Sequence, residues 1–169
     1  MNEQWLTYCR RYAQINLPEW VRTKKWNYKH DICMIGEEML LEATGEDVFR
    51  QSILSCGAYL CGPDGRLIDW DDSVHNLDFV SFGKSLWVLY RLTGDERYYE
   101  EILRVRRNLE GHPRTATRNY WHKNIYPHQV WLDGLYMALP FQAQCDAASG
   151  KADFADIFEP FRQVRAHHY

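Results

Sequence analysis

The chain has 169 residues and a mass of 20.2 kDa, the length of about one domain, and its 46% of hydrophobic residues are enough for a core. The formal net charge of −3, with acidic and basic residues mixed along the chain, provides no basic patch for a nucleic acid. No apolar run approaches the ~18 residues of a membrane span, and the opening MNEQWLTYCRRYAQ is too polar for a signal peptide. We therefore expect a cytoplasmic protein that binds neither nucleic acid nor membrane.

Three segments along the chain share one pattern, LLEATGEDVF (40–49), LYRLTGDERYY (89–99) and DAASGKADF (146–154). In each, an apolar stretch ends at a glycine and an aromatic residue follows four positions later. The pattern predicts a helix closed by a left-handed glycine, Gly45, Gly94 or Gly150, and directly followed by a second helix with an acid in its first turn. The segments between these corners have apolar residues at helical spacing, so we predict an all-α chain of about six or seven helices.

The rest of the chain fits this organisation. The stretch CGPDGRLIDWDD (61–72) is rich in turn residues and predicts a long loop between hairpins. The five cysteines are odd in number and lack metal-type spacing, so we expect reduced thiols. Only about three helical hairpins fit into 1–169, whereas a closed ring of six hairpins would need about 300 residues at this period. We therefore expect a single partial domain, the N-terminal half of a larger protein.

Two acids are candidates for chemistry because each precedes an apolar helical run. Asp78 lies in NLDFVSFGKSLWVLY (76–90), and Asp133 lies within the aromatic stretch WHKNIYPHQVWLDGLYMALPF (121–141). Both could be helix N-caps that accept hydrogen bonds from first-turn backbone N–H groups. Both could also face one cavity, where burial beside aromatic rings raises the pKa of one carboxyl for general acid catalysis. A cap can also be a catalyst, so the two interpretations are compatible.

The histidines allow similar alternatives. His122 could hydrogen-bond a substrate hydroxyl beside Lys123, or it could simply pack among aromatic rings. His30, His75 and His128 show no spacing typical of metal ligands, so the sequence predicts no metal site and no cofactor.

The strings WHKNIYPHQVWLDGLYMALPF and NLDFVSFGKSLWVLYRLTGDERYY, with the intervening HPRT (112–115), resemble glycoside hydrolase family 105, the unsaturated rhamnogalacturonyl hydrolases, and less closely family 88. The resemblance covers roughly 24–146. It implies an (α/α)6 barrel, a closed ring of six helical hairpins with the active site at the helix ends. The C-terminal half of that barrel would be the missing partner.

The resemblance also assigns residues. It makes Asp133 the catalytic acid/base and Asp78 its partner. It places further residues beside the sugar: Asn27, Tyr28, His122, Lys123, Tyr126 and Trp131. The sequence departs from the family pattern at Asp31, where a glycine is usual.

The implied reaction is the release of a 4,5-unsaturated uronic acid from lyase-generated oligosaccharides by hydration of the C4=C5 enol ether, a step of pectin degradation. Direct displacement at the anomeric carbon by two carboxylates is the ordinary alternative for a glycosidase. Two other classes of function stay open, a non-catalytic helical-repeat module that binds a partner and another (α/α)6 sugar enzyme such as an epimerase.

Overall fold

A computed structural model describes residues 2–23, 28–151 and 153–167, without the side chains of 16–23. Within these residues the chain is helical, and β pairing is limited to isolated bridges. The all-α prediction is confirmed, with seven longer helices and one single-turn helix, α4. The helices are α1 (Glu3–Thr23), α2 (Tyr28–Thr44), α3 (Asp47–Leu60), α4 (Leu77–Val80), α5 (Gly83–Thr93), α6 (Glu96–Glu110), α7 (Leu132–Ala148) and α8 (Ala155–His167).

The three glycine corners are confirmed. Gly45, Gly94 and Gly150 have φ of 68°, 66° and 77°, in the left-handed region that residues with a Cβ adopt at a cost. They join α2 to α3, α5 to α6 and α7 to α8. The aromatic residue four positions later anchors the new helix: Phe49 is fully buried, and Tyr98 packs against the main core.

The helices form two layers. The inner helices α2, α5 and α7 lie side by side, with α5 in contact with both of the others. The outer helices α1, α3, α6 and α8 cover them, with α1 against α3, α3 against α2, α6 against α5 and α7, and α8 against α7. This alternation of inner and outer helices is half of an (α/α)6 ring, with three inner–outer hairpins.

The core lies between the two layers, where apolar residues from inner and outer helices interlock. Phe82, Leu86 and Leu89 on the inner side and Ile102 and Val105 on the outer side are fully buried. All five cysteines are free thiols; Cys56, Cys61 and Cys145 are buried as expected of core residues, whereas Cys9 and Cys33 are half-buried. None of the described helices is long and apolar enough to cross a membrane.

The two ends of the half ring differ. The tight glycine corners lie at the C-terminal ends of the inner helices, whereas long connections, 61–76 and 111–131, enter α4 and α7 at the opposite end. The predicted loop at 61–72 is confirmed as the first of these connections. Both candidate acids therefore lie at the end of the half ring that carries the two long connections.

Candidate active site

Backbone hydrogen bonds join the two long connections into one platform. The Leu77 N–H donates to the His122 carbonyl at 3.0 Å, and the Asn124 N–H donates to the His75 carbonyl at 2.9 Å. The His122 N–H in turn donates to the Gln129 carbonyl at 2.8 Å. The start of α4 and the loop before α7 are thereby held together, although they are far apart in sequence.

This platform brings the two candidate acids together around His122. One carboxylate oxygen each of Asp78 and Asp133 and one ring nitrogen of His122 lie within 4.8 Å of one another. The Lys123 ammonium lies 2.8 Å from Asp78 Oδ2, and His122 Nε2 lies 3.7 Å from Asp78 Oδ1. Asp78 is thus an ion-paired, half-buried carboxylate, whereas no ion pair to Asp133 is present within the described residues.

Neither acid is a helix N-cap, so that interpretation is wrong. Asn76 caps α4, where its side chain accepts a hydrogen bond from the Asp78 N–H at 3.0 Å. Trp131 occupies the N-cap position of α7 and makes no side-chain cap bond. Asp78 and Asp133 lie in the first turns, where a carboxylate still interacts favourably with the helix dipole but its oxygens stay available for other partners.

The prediction that Asp133 is buried is also wrong. Its side chain is exposed in the part of the protein that the structure describes. On α7, Gly134, Met137 and Ala138 are buried against the half ring, whereas Asp133 and Tyr136 lie on the opposite side of the helix. That side has no neighbouring inner helix among the described residues. The aromatic residues around Asp133 therefore belong to the uncovered side of α7 and do not form a closed pocket.

His122 is the buried centre of the site. Its side chain is 1% exposed, and burial lowers the pKa of its imidazole, although Asp78 and Asp133 oppose that shift. Its Nδ1 is buried without a hydrogen-bond partner. Its ring stacks on Trp131 with centroids 4.1 Å apart and planes 5° apart, and Tyr126 lies nearly parallel to Trp131 at 5.7 Å. A neutral imidazole beside flat aromatic rings suits a sugar better than a phosphate.

The structure brings six of the eight predicted site residues together. Asp78, His122 and Lys123 are joined by charge, and Trp131 joins Tyr126 to His122 by ring stacking. Asp133 shares the acid cluster. Tyr28 begins α2 and packs half-buried against the main core, and Asn27 lies outside the described residues.

A buried ion pair that the sequence analysis missed lies in the first turns of the inner helices. Asp31 is completely buried, and its carboxylate accepts hydrogen bonds from Ser81 Oγ at 2.7 Å and Ser85 Oγ at 3.1 Å. Lys84 Nζ lies 2.9 Å from Asp31, donates to the Tyr136 carbonyl at 3.1 Å and lies over the Tyr136 ring. The pair ties α2, α5 and α7 together. Asp31 stood out only as a departure from the family pattern, and nothing in the sequence named Lys84 as its partner.

The acid cluster also bears on the prediction that the chain has no metal site. Asp78, His122 and Asp133 lie close enough to ligate one ion, a juxtaposition that spacing along the chain could not reveal. However, the Lys123 ammonium already neutralises Asp78 at 2.8 Å, and a cation at this distance disfavours a divalent ion. The donor set therefore suits proton transfer better than metal binding.

A half ring of helical hairpins with two carboxylates next to aromatic rings, one in the short helix α4 before α5 and one at the start of α7, is the arrangement of an (α/α)6 carbohydrate-active enzyme. The comparisons agree. The family model described as Glycosyl Hydrolase Family 88 matches residues 1–169, so the chain belongs to that family.

A solved structure of a glycoside hydrolase from family 105 of C. acetobutylicum ATCC 824 is similar, with a TM-score of 0.78 and 30% sequence identity. The match covers 90% of the present chain and 44% of the clostridial chain. The present chain thus spans less than half the length of that relative. The resemblance to families 105 and 88 and the (α/α)6 fold class are both confirmed.

Proposed function

We propose that the chain is one half of an unsaturated uronyl hydrolase and that this half carries the catalytic acid/base. The observation that carries the proposal is that side-chain atoms of Asp78, Asp133 and His122 lie within 4.8 Å of one another, with Asp78 in α4 just before α5 and Asp133 in the first turn of α7. Family membership and the structural likeness to a family 105 enzyme support the same class of reaction. Products of a polysaccharide lyase that acts on rhamnogalacturonan are the substrates that the resemblance favours.

The chemistry starts at the enol ether of the unsaturated uronate. Asp133 donates a proton to C4, and positive charge develops at C5, where the ring oxygen shares it. A water molecule attacks C5 and returns a proton to Asp133, which restores the acid. The resulting hemiketal opens and releases the neighbouring sugar. One carboxyl thus acts first as a general acid and then as a general base.

The neighbours of Asp133 have distinct roles in this proposal. Asp78 forms an ion pair with Lys123 at 2.8 Å, and it orients the substrate and the proton of Asp133. His122 stays neutral near pH 7 because burial lowers its pKa, so it acts as a hydrogen-bond partner rather than as a cation. Trp131, 43% exposed, offers a flat surface for the sugar ring.

An exposed Asp133 needs a cover to act as an acid at neutral pH. Burial under the sugar and the other half of the ring would disfavour the charged form of this carboxyl. Activity therefore requires the half ring that faces these three hairpins.

Direct displacement is the competing mechanism, and the carboxylate spacing argues against one form of it. An inverting pair needs about 6.5–9.5 Å between carboxyl groups, whereas a retaining pair lies about 5–5.5 Å apart. One oxygen of Asp78 and one of Asp133 lie within 4.8 Å of each other, which leaves little room for the attacking water of an inverting enzyme. The ion pair with Lys123 also weakens Asp78 as a nucleophile.

The reaction in D2O separates hydration from retaining displacement. We expect hydration to place deuterium at C4 of the released uronate, as seen by NMR or mass spectrometry. Displacement would first release the unsaturated uronate with its C4=C5 bond intact, and deuterium would reach C4 only afterwards, as the free sugar opens and its enol tautomerises. An intact double bond in the earliest product would overturn the proposed mechanism.

A further inference from the structure

A proline interrupts the hydrogen bonding of α7 close to Asp133. A helical carbonyl accepts a hydrogen bond from the N–H four residues later, and for the carbonyl of Tyr136 that residue is Pro140, which has no N–H. The proline ring also crowds the carbonyl four residues before it. The N-terminal segment of α7, 132–136, is therefore joined to the rest of the helix by fewer hydrogen bonds than an ordinary helical segment.

The Lys84 ammonium replaces the missing donor. Its Nζ donates to the Tyr136 carbonyl at 3.1 Å and lies 3.7 Å from the centre of the Tyr136 ring. Lys84 belongs to α5 and is buried, so this bond crosses from one inner helix to the next with little competition from water. The placement of the N-terminal segment of α7 thus depends on a side chain of α5.

Asp31 extends this contact to the segment that contains Asp78. The Asp31 carboxylate lies 2.9 Å from Lys84 Nζ and accepts a hydrogen bond from Ser81 Oγ at 2.7 Å. Ser81 directly follows α4 and lies three positions after Asp78. Asp31, Ser81 and Lys84 are all buried. A buried chain of contacts therefore runs from the end of α4 to the N-terminal segment of α7.

Stability alone does not account for a charged pair at this place. Replacing a buried ion pair by apolar residues of similar volume is often neutral or stabilising. Apolar packing already brings the two segments together, since a Cβ on Gly134 would lie 3.0 Å from Leu77 Cδ1. Such packing is not directional, whereas a hydrogen bond is. The polar pair is needed for the bonds at its two ends, to the Tyr136 carbonyl and from Ser81, and these bonds fix the geometry.

We propose that Asp31 and Lys84 are positioning residues that hold Asp133 at its distance from Asp78. They fix the N-terminal segment of α7 relative to the end of α4, so that one oxygen of each acid lies within 4.8 Å of the other. The consequence for turnover rests on the proposed function, in which Asp78 orients the proton of Asp133. The placement of the segment itself does not depend on any reaction and can be measured without one.

The first test measures amide hydrogen exchange in the 169-residue chain by NMR. The double variant Asp31→Asn, Lys84→Met leaves no unpaired charge at this place, but a methionine side chain has no N–H to donate to the Tyr136 carbonyl. We expect the amides of 136–139 to exchange roughly tenfold faster than in the parent, as for the loss of one charge-assisted hydrogen bond. The amides of α3 and α6 should exchange as in the parent.

Two comparisons separate this effect from general destabilisation. Arg106→Met is the matched control, because Arg106 pairs with Asp146 at 3.0 Å near the other end of α7, and it should leave exchange at 136–139 unchanged. Pro140→Ala restores an N–H four residues after Tyr136, so in that background the double variant should accelerate exchange much less. If the double variant loses its helical circular dichroism, Asp31→Asn, Lys84→Leu takes its place.

The second test measures turnover in the chain joined to the C-terminal half of the family 105 relative, which we call the completed ring. The double variant should lower kcat about 10- to 100-fold with KM little changed, as for a small displacement of a catalytic group. Arg106→Met should lower the stability to urea and leave kcat unchanged. A completed ring without turnover in the parent would refute the proposed function, and the exchange measurement would still decide the placement of α7.

Three results would overturn the positioning role. Unchanged exchange at 136–139 in the double variant would show that other contacts hold the N-terminal segment of α7. Equal acceleration with Pro140 and with Pro140→Ala would show that Lys84 does not replace the missing donor. A kcat equal to that of the parent, in a completed ring that is active, would show that the pair contributes to folding alone.

Discussion

Lys84→Met should destabilise the chain strongly, because it leaves the Asp31 carboxylate buried without its cation. The Lys84 and Asp31 side chains are 4% and 0% exposed, and their charged atoms are 2.9 Å apart. Removing one partner of such a pair costs about 3–5 kcal/mol in the free energy of unfolding. Ser81 and Ser85 still donate to Asp31, so we place the loss near the lower end of that range at pH 8.

The loss should depend on pH. Burial already raises the pKa of Asp31, with Lys84 as the chief opposing influence, so Lys84→Met raises that pKa further. A carboxyl whose pKa is higher in the folded than in the unfolded state favours folding at low pH and loses that contribution as pH rises through the folded pKa. The variant should therefore be closer to the parent at pH 5 than at pH 8.

Urea unfolding at both pH values, followed by circular dichroism, measures these differences. The double variant Asp31→Asn, Lys84→Met removes both charges and should regain most of the stability at pH 8. Lys151→Met is the matched control, because Lys151 is 43% exposed at 3.1 Å from Asp146 and the buried Asp146 keeps Arg106 at 3.0 Å, so the loss should be at most about 1 kcal/mol. A Lys84→Met loss no larger than that of Lys151→Met would refute the reasoning.

Four further substitutions test other parts of the account. Burial raises the pKa of Glu37 to about 7, so stability falls as pH rises from about 4.5 to 7, and Glu37→Gln should remove about 2–3 kcal/mol of that fall in urea titrations. Burial lowers the pKa of His112 to about 4, so stability falls as pH drops below about 6.5, and His112→Gln should reduce that acid sensitivity in thermal melts. In the completed ring, Asp78→Asn should slow turnover. Asn76→Ala should instead cost about 1 kcal/mol in the free energy of unfolding and leave turnover unchanged. The reverse pattern, measured for both variants in activity and unfolding assays, would contradict the role proposed for Asp78.

The helical framework was predictable because it depends on local rules. Gly45, Gly94 and Gly150 each close a helix in the left-handed conformation, and the aromatic residue that follows locks the corner into the core. These short-range signals need no knowledge of the other half of the ring. The closed (α/α)6 topology came from the family resemblance, because periodicity alone fits both a ring and an open array.

The structure places six of the eight predicted site residues near one another, but the sequence did not predict their surroundings. Asp133 was expected to be buried because its sequence neighbours are aromatic, but on a helix the burial of a side chain depends on the packing of its face rather than on adjacent residues. The same limit hid the Asp31–Lys84 pair, since these residues are more than 50 positions apart. Asn76 was overlooked as the cap of α4 because Asp78, two positions later, is equally suited to cap a helix by composition.

The central claim is that Asp133 protonates an unsaturated uronide, and one comparison tests it most directly. The chain is joined to the C-terminal half of the clostridial relative, its fold is checked by circular dichroism, and the loss of ultraviolet absorbance of the C4=C5 bond is followed in lyase-digested rhamnogalacturonan. We predict steady decay with Asp133 present and none with Asp133→Asn, while the variant keeps its helical content and still binds the oligosaccharide in calorimetry. Decay that continues at the same rate in Asp133→Asn, or a folded and substrate-binding ring that never consumes the double bond, would contradict the account.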